Sequence, residues 1–150
     1  MLLAEMRALI TGCGQNCAAA LPAVLENIEQ LRALFQSSEV LLLENDSTDA
    51  TAEVIRRYGQ SHGGVHALGF PGLNAHIPIK TVRLAHLRNT ALEWLRSNGG
   101  WGRFDLLVVL DLDEVNAAPW DLQTFDSALQ WWQAQPEAAG LFANQLGPYY

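Results

Sequence analysis

Basic residues are scarce in this chain. Nine Lys and Arg stand against sixteen Asp and Glu, a formal net charge of -7 over 150 residues, and they are scattered rather than grouped. Binding to nucleic acid rests on clustered cations that displace counterions from phosphates, so no nucleic-acid partner is expected. Cysteine is nearly absent: Cys13 and Cys17 are the only two, with no His pair at the interval a zinc finger uses. Both are expected to be reduced and structural, which fits a cytoplasmic protein. Long apolar runs are missing too. No segment reaches the ~20 apolar residues that cross a bilayer, so no transmembrane span is expected. Met1-Leu2-Leu3-Ala4-Glu5-Met6-Arg7 lacks the basic start and long apolar stretch of a signal peptide. No repeat or low-complexity stretch interrupts the chain. What remains, 49% hydrophobic and 17% charged, is the composition of one folded domain over residues 1–150.

Leu106-Leu107-Val108-Val109-Leu110 is an unbroken apolar run with adjacent valines, which reads as a strand buried on both faces inside a parallel sheet. It ends in Asp111-Leu112-Asp113-Glu114, and carboxylates so closely spaced repel one another unless a solvated edge or a cation lies between them. Ligands of open parallel sheets bind beyond the carboxyl ends of the strands, so this tip is the first candidate site.

The rest of the chain alternates. Ala8-Leu9-Ile10-Thr11 reads as a strand that breaks into a tight loop at Gly12-Cys13-Gly14. From Leu21, the residues Val24, Leu25, Ile28, Leu31 and Phe35 keep a helical period, with Pro22 in the first turn. Val40 to Leu43 forms a second buried strand, closed by Glu44-Asn45-Asp46-Ser47-Thr48-Asp49. Ser47, Thr48 and Asp49 each suit the cap of a helix from about Ala50 to Tyr58. Gly59 to Gly64 reads as a turn, Val65 to Phe70 as a weakly patterned third strand, and Pro71 to Pro78 as a loop. Leu84, Leu87, Ala91 and Leu95 share one stripe of a helix from about Lys80 to Ser97, which Asn98-Gly99-Gly100 ends. Trp120 to Gln133 reads as a further helix and Ala139 to Ala143 as a last strand. This order predicts an α/β, Rossmann-like fold with a mostly parallel sheet and helices on both faces. No terminal helix follows the last strand, so a domain truncated before a second, acceptor-binding half is expected.

A lone D-x-D arises by chance on many solvated turns. At the end of a buried strand, beside another strand that also ends in acids, it points to metal or ligand binding instead. Carboxylates suit Mg2+ and Mn2+, which commonly bridge one or two acids of a protein to the phosphates of a substrate. His62, His66, His76 and His86 are dispersed and read as surface or core histidines rather than ligands. Trp131 and Trp132 cannot both face one core from a helix. One of them is expected to be exposed, as at a contact between copies in a homo-oligomer.

In order along the chain stand Glu44-Asn45-Asp46-Ser47-Thr48-Asp49-Ala50-Thr51, Leu84-Ala85-His86-Leu87-Arg88-Asn89-Thr90-Ala91-Leu92, and Leu110-Asp111-Leu112-Asp113. Together these resemble the nucleotide-sugar half of GT-A-type glycosyltransferases, being similar to that group's D-D-x-S-x-D-x-T segment, its helix carrying Arg-Asn, and its D-x-D. Phe142-Ala143-Asn144-Gln145 with Tyr149-Tyr150 resembles a subgroup related to capsule mannosyltransferases. The resemblance implies a nucleotide-diphosphate sugar as donor, a saccharide or other glycan as acceptor, and Mn2+ or Mg2+ as cofactor. It implies that Thr11 and Gly12 lie against base and ribose, that Glu44 and Asp46 read the nucleoside, and that Arg88 approaches the nucleotide while Asn89 holds the loop. Asp111 would contact ribose or the metal-bound diphosphate, and Asp113 would be the principal metal ligand. The usual paired aspartates of the first segment are here Glu44 and Asn45, followed by Asp46 in place of a small residue.

Two other readings fit some of the same residues. Val108 to Val115 also looks like the opening motif of haloacid-dehalogenase-type phosphatases, in which Asp111 would attack phosphorus and Asp113 would act as acid and base. That motif begins its domain, whereas here a long α/β stretch precedes it. A non-catalytic nucleotide-binding or assembly module is the alternative outside enzymes.

Overall fold

The computed structural model describes residues 2–143. Four strands, β1 (Arg7–Gly14), β2 (Ser37–Glu44), β3 (Val65–Gly69) and β4 (Leu106–Asp111), form one sheet in the order β3-β2-β1-β4. Every neighbouring pair is parallel. Between them run α1 (Leu21–Arg32), α2 (Thr51–Ser61), the single-turn α3 (Leu73–His76) and α4 (Lys80–Ser97), and α5 (Leu122–Gln133) follows β4. The fold is α/β and Rossmann-like, as the alternation predicts.

The alternation of side chains along each strand separates two cores. Ala8, Ile10, Val40, Leu42 and Leu106 face α1, whose Leu21, Val24, Ile28 and Leu31 are buried, and Leu129 of α5 joins them. Leu9, Leu41 and Leu43 face the other way, onto Leu87, Ala91 and Leu95 of α4. The stripe expected on α4 is therefore the stripe it buries, with Leu84 partly exposed at its edge. Helices cover both faces of the sheet.

The chain builds outward from β1 through β2 to β3, then crosses to the far side of β1 to lay down β4. Reversal of direction opens a crevice above β1, at the carboxyl end of the sheet, while the loop leaving β4 leads into α5 on the same face as α1. The register keeps the strand tips level, with Gly14 opposite Glu44 and Cys13 opposite Asp111. The tips of β2 and β4 thus lie two strand spacings apart, or about 10 Å.

Five local expectations are corrected. Gly12 and Gly14 do not break β1; they continue it, because Leu112 packs where their side chains would be. β4 is an edge strand rather than a central one, and Val109 is 52% exposed on it. Ala139 to Ala143 is irregular, with Phe142 93% exposed. Gly59 lies inside α2, not in a turn, and a Cβ there would meet Ala67 Cβ at 3.4 Å. The segment Pro71 to Pro78 also folds one turn, α3, within the expected loop.

Because that contact is within ordinary van der Waals range, Gly59→Ala should recover helix propensity without displacing β3. We expect a stabilisation of about 0.5–1 kcal/mol, read as a higher urea midpoint at unchanged slope. A lower midpoint would show that α2 and β3 leave no room for the methyl group.

Candidate functional site

Leu112 organises the site. It is fully buried, and its side chain fills the space above Gly12 and Gly14, where an added Cβ would stand 2.6 and 3.2 Å from its nearest atoms. A buried residue between two acids turns both carboxylates toward solvent. Asp111 and Asp113 accordingly line one cleft of about 190 Å³ with Cys13, Gly14, Gln15, Cys17 and Asn45. Its other wall is α4, through Lys80, Arg83, Leu84 and Leu87. Cations thus face carboxylates across a solvated crevice.

The loop after β4 is held at several points. Asn116 Nδ2 donates to the Asp111 carbonyl at 2.8 Å. Asp113 Oδ1 accepts from Val115 N at 3.2 Å, capping the short turn Glu114–Asn116. Arg88 Nη2 reaches Asp111 Oδ1 at 3.2 Å, with the two side chains 48% and 42% exposed. An ion pair this open contributes only ~0–1 kcal/mol, so Arg88 is readily drawn to another anion. Oδ2 of both aspartates is left without a hydrogen bond among the described residues.

The polar segment after β2 mostly builds the cleft's frame. Asn16 N donates to Ser47 Oγ at 3.0 Å, Cys17 N to Thr51 Oγ1 at 2.8 Å, and Ala18 N to Asp49 Oδ2 at 3.1 Å. None of the three candidate residues is the N-cap of α2, which is Ala50 without a side-chain cap; Asp49, one residue earlier, accepts from Thr51 N through Oδ1 at 2.9 Å. Glu44 accepts from Ser47 N at 2.7 Å. Asp46 sits at φ 48°, a left-handed conformation that Asp tolerates better than most residues. Its carboxylate receives Asn74 N at 2.6 Å and also Gly72 N, and these bonds, led by that from Asn74, hold it below the usual carboxylate range. Asn45 Nδ2 is spent on Asp46 and on Asn74 Oδ1 at 3.0 Å; as one of the cleft's lining residues, Asn45 offers its amide oxygen.

The expected residues distribute as follows. Asp111 and Asp113 come together in the cleft, and Glu44 and Asp46 stand at the neighbouring tip, occupied by backbone N–H groups. Arg88 adjoins Asp111. Thr11 and Gly12 instead line a second, largely apolar hollow of about 130 Å³ between α4 and β4, and Thr11 Oγ1 is buried there without a partner among the described residues. Asn89 and His86 are exposed on α4. Burial pushes the Cys13 thiol up to about 11, with lesser effects from Arg88 and Asp111, so it is protonated at neutral pH; both cysteines are free. Asn144, Gln145, Tyr149 and Tyr150 lie outside the described residues. Lys80, Arg83 and Gln15 were not singled out from sequence, and Asn45 only as a departure from the paired aspartates. Lys80 carried a signal, as a cation in the first turn of the helix that bears Arg88-Asn89.

A metal would find few ligands here. No group of three or more His, Cys, Asp or Glu suited to a cation occurs among the described residues. Two carboxylates with free oxygens do fit a hard divalent cation that draws its remaining ligands from water and phosphate.

No protein-family profile matches the chain, and no curated protein matches its sequence. Among solved structures, the mannosyltransferase PcManGT from Pyrobaculum calidifontis, in complex with GDP-Man and Mn2+, shares 23% sequence identity with a TM-score of 0.56. The match covers 88% of this chain and 33% of that one, so the chain spans about a third of that protein's length. At this identity the likeness is one of fold: the α/β domain described above is of a kind found in a glycosyltransferase.

Gly12→Ala should displace Leu112 and cost about 1–3 kcal/mol as an overpacked core, measured by urea unfolding; an unaltered midpoint would mean Leu112 does not occupy that space. Because the folded state holds Asp46 ionised, its clasp on residues 72–74 should be intact above its ordinary pKa of about 3.9 and lost as pH falls through the lower folded-state value. Hydrogen-exchange protection at Gly72 and Asn74 checks this, and Asp46→Asn should remove the protection at neutral pH.

Proposed function

We propose that this chain is the donor-binding half of a GT-A-type glycosyltransferase, which binds a nucleotide-diphosphate sugar through a divalent cation and passes the sugar to a saccharide or other glycan. The observation that carries the reading is the convergence of Asp111 and Asp113 with Lys80 and Arg83 in one cleft at the sheet's switch point. The fold likeness to a mannosyltransferase that was solved with GDP-Man and Mn2+ supports it. We place the chain in the cytoplasm, where free cysteines persist, and group it with proteins related to capsule mannosyltransferases.

In this reading Asp113 is the principal ligand of Mn2+ or Mg2+, and Asp111 shares the cation or meets the ribose. When bound, the cation offsets the charge that builds on the diphosphate as the bond to the sugar breaks. Lys80 and Arg83 meet the nucleotide from the opposite wall, and Arg88 leaves Asp111 for a phosphate oxygen or the base. Asn45 supplies an acceptor oxygen to the base edge beside Glu44 and Asp46. Thr11 and Gly12, in the hollow beside the cleft, border the ribose side, and Asn89 holds the loop.

Calorimetric titration with GDP, with and without Mn2+, tests the proposal. We expect binding that strengthens at least tenfold with Mn2+, the scale of a lost metal ligand or its support. Asp113→Asn should abolish that gain while leaving the unfolding midpoint close to the parent's. GDP affinity indifferent to Mn2+ would defeat the reading, and phosphate release from a generic phosphate ester would favour the phosphatase instead.

A further inference from the structure

The acids of the cleft are held by a chain of amides that begins on the far side of α1. Asn27 is 4% exposed in the middle of that helix. Both hydrogens of its Nδ2 are committed to the loop after β4, one to Asn116 O at 2.9 Å and one to Ala118 O at 2.7 Å. Asn116 in turn returns its own amide to the Asp111 carbonyl at 2.8 Å. Between them Leu112 is locked beneath Gly12 and Gly14. A buried polar group in a helix interior is costly unless its bonds are made, and Asn27 makes them only to the stretch that sets where Asp113 stands relative to Asp111.

We infer that Asn116, braced by Asn27, is a positioning residue that fixes the aperture between Asp111 and Asp113 and thereby sets which divalent cation the cleft accepts. The inference rests on the nucleotide-binding reading above. Discrimination between cations depends on ligand spacing and rigidity: Mn2+ and Mg2+ want short, near-octahedral bonds, whereas Ca2+ accepts longer and looser ones. An aperture pinned at both ends favours the smaller ions, and one free to widen loses that preference. Asn116 touches neither cation nor nucleotide in this arrangement; it acts through the Asp111 backbone and the turn that Asp113 caps.

The experiment measures GDP affinity of the whole chain in Mn2+, in Ca2+ and without metal. For the parent we expect tighter binding in Mn2+ than in Ca2+. Asn116→Ala should shrink that ratio about tenfold, the usual scale for removing a group that orients a metal ligand, while metal-free GDP binding stays within twofold. Asn116→Ser, which keeps a short donor, should recover part of the ratio, and it stands in if the alanine variant fails to fold. An unchanged Mn2+ to Ca2+ ratio in a folded variant overturns the inference and leaves Asn116 a structural residue. Equal loss of metal-free and metal-dependent binding overturns it as well, since that is what general loosening produces. A parent without Mn2+-dependent GDP binding would remove the underlying reading itself, an outcome visible before any variant is made.

Discussion

Leu112 resting on two strand positions that carry no side chain is the contact from which the rest of the site follows. An apolar residue between two aspartates would be an odd choice for a solvated turn, because its burial has to be arranged against the desolvation of its neighbours. Here the void above Gly12 and Gly14 accepts it completely. Its seating fixes the direction of the chain as it leaves β4, and the flanking carboxylates have only the crevice to enter. Glycine within a strand usually weakens it, and a close approach by another part of the chain is one of the reasons it is found there.

That contact also explains which parts of the design were legible in the sequence. The apolar runs at residues 8–11, 40–43 and 106–110 announced strands, and their alternation with periodic helices was enough for the fold, since crossovers in parallel sheets have little freedom. The meeting of β2 and β4 tips across β1 followed from strand order, which the alternation limits without dictating. The glycines of β1 were misread because a local rule treats Gly-x-Gly as a turn, while the compensating side chain lies about a hundred residues away. β4 looked central because its residues are all apolar. It is an edge strand whose outward residue Val109 stays open, a case where composition reports a preference for burial and says nothing of whether a neighbour supplies it. Ala139 to Ala143 is a parallel case, an apolar stretch that stays irregular and exposed.

The candidate site was legible in its acids and in Arg88, and not in Lys80 and Arg83. Carboxylates clustered at a strand end stand out against an acidic but dispersed background, whereas Lys80 and Arg83 are spaced along a helix whose facing could not be assigned until α4 was laid over β1 and β2. The polar segment after β2 was legible as a motif and misleading as a list of ligands. Ser47, Asp49 and Thr51 are committed to backbone N–H groups of the loop after β1, and Glu44 and Asp46 to N–H groups nearer by. Such bonds are short and charge-assisted where a carboxylate accepts, so they are not casually exchanged for a ligand. Among the described residues Asn45 keeps its amide oxygen and Glu44 its Oε2 without a hydrogen bond, and Asn45 stands where the group that the segment resembles carries an aspartate.

Electrostatics then limits how the cleft can work. Two carboxylates facing Lys80, Arg83 and Arg88 make a site close to neutral, too weakly negative to retain a divalent cation on its own terms and too weakly positive to retain a diphosphate alone. In the proposed reading each partner would supply what the other lacks: a cation brought with a diphosphate would satisfy the free Oδ2 atoms, and the diphosphate would give Arg88 a stronger partner than the half-exposed Asp111, which holds it by no more than about 1 kcal/mol. On the proposed reading, the balance of charge across the cleft, more than any single ligand, would favour metal and nucleotide entering as one unit, with the frame of buried amides and glycines keeping the acids in place.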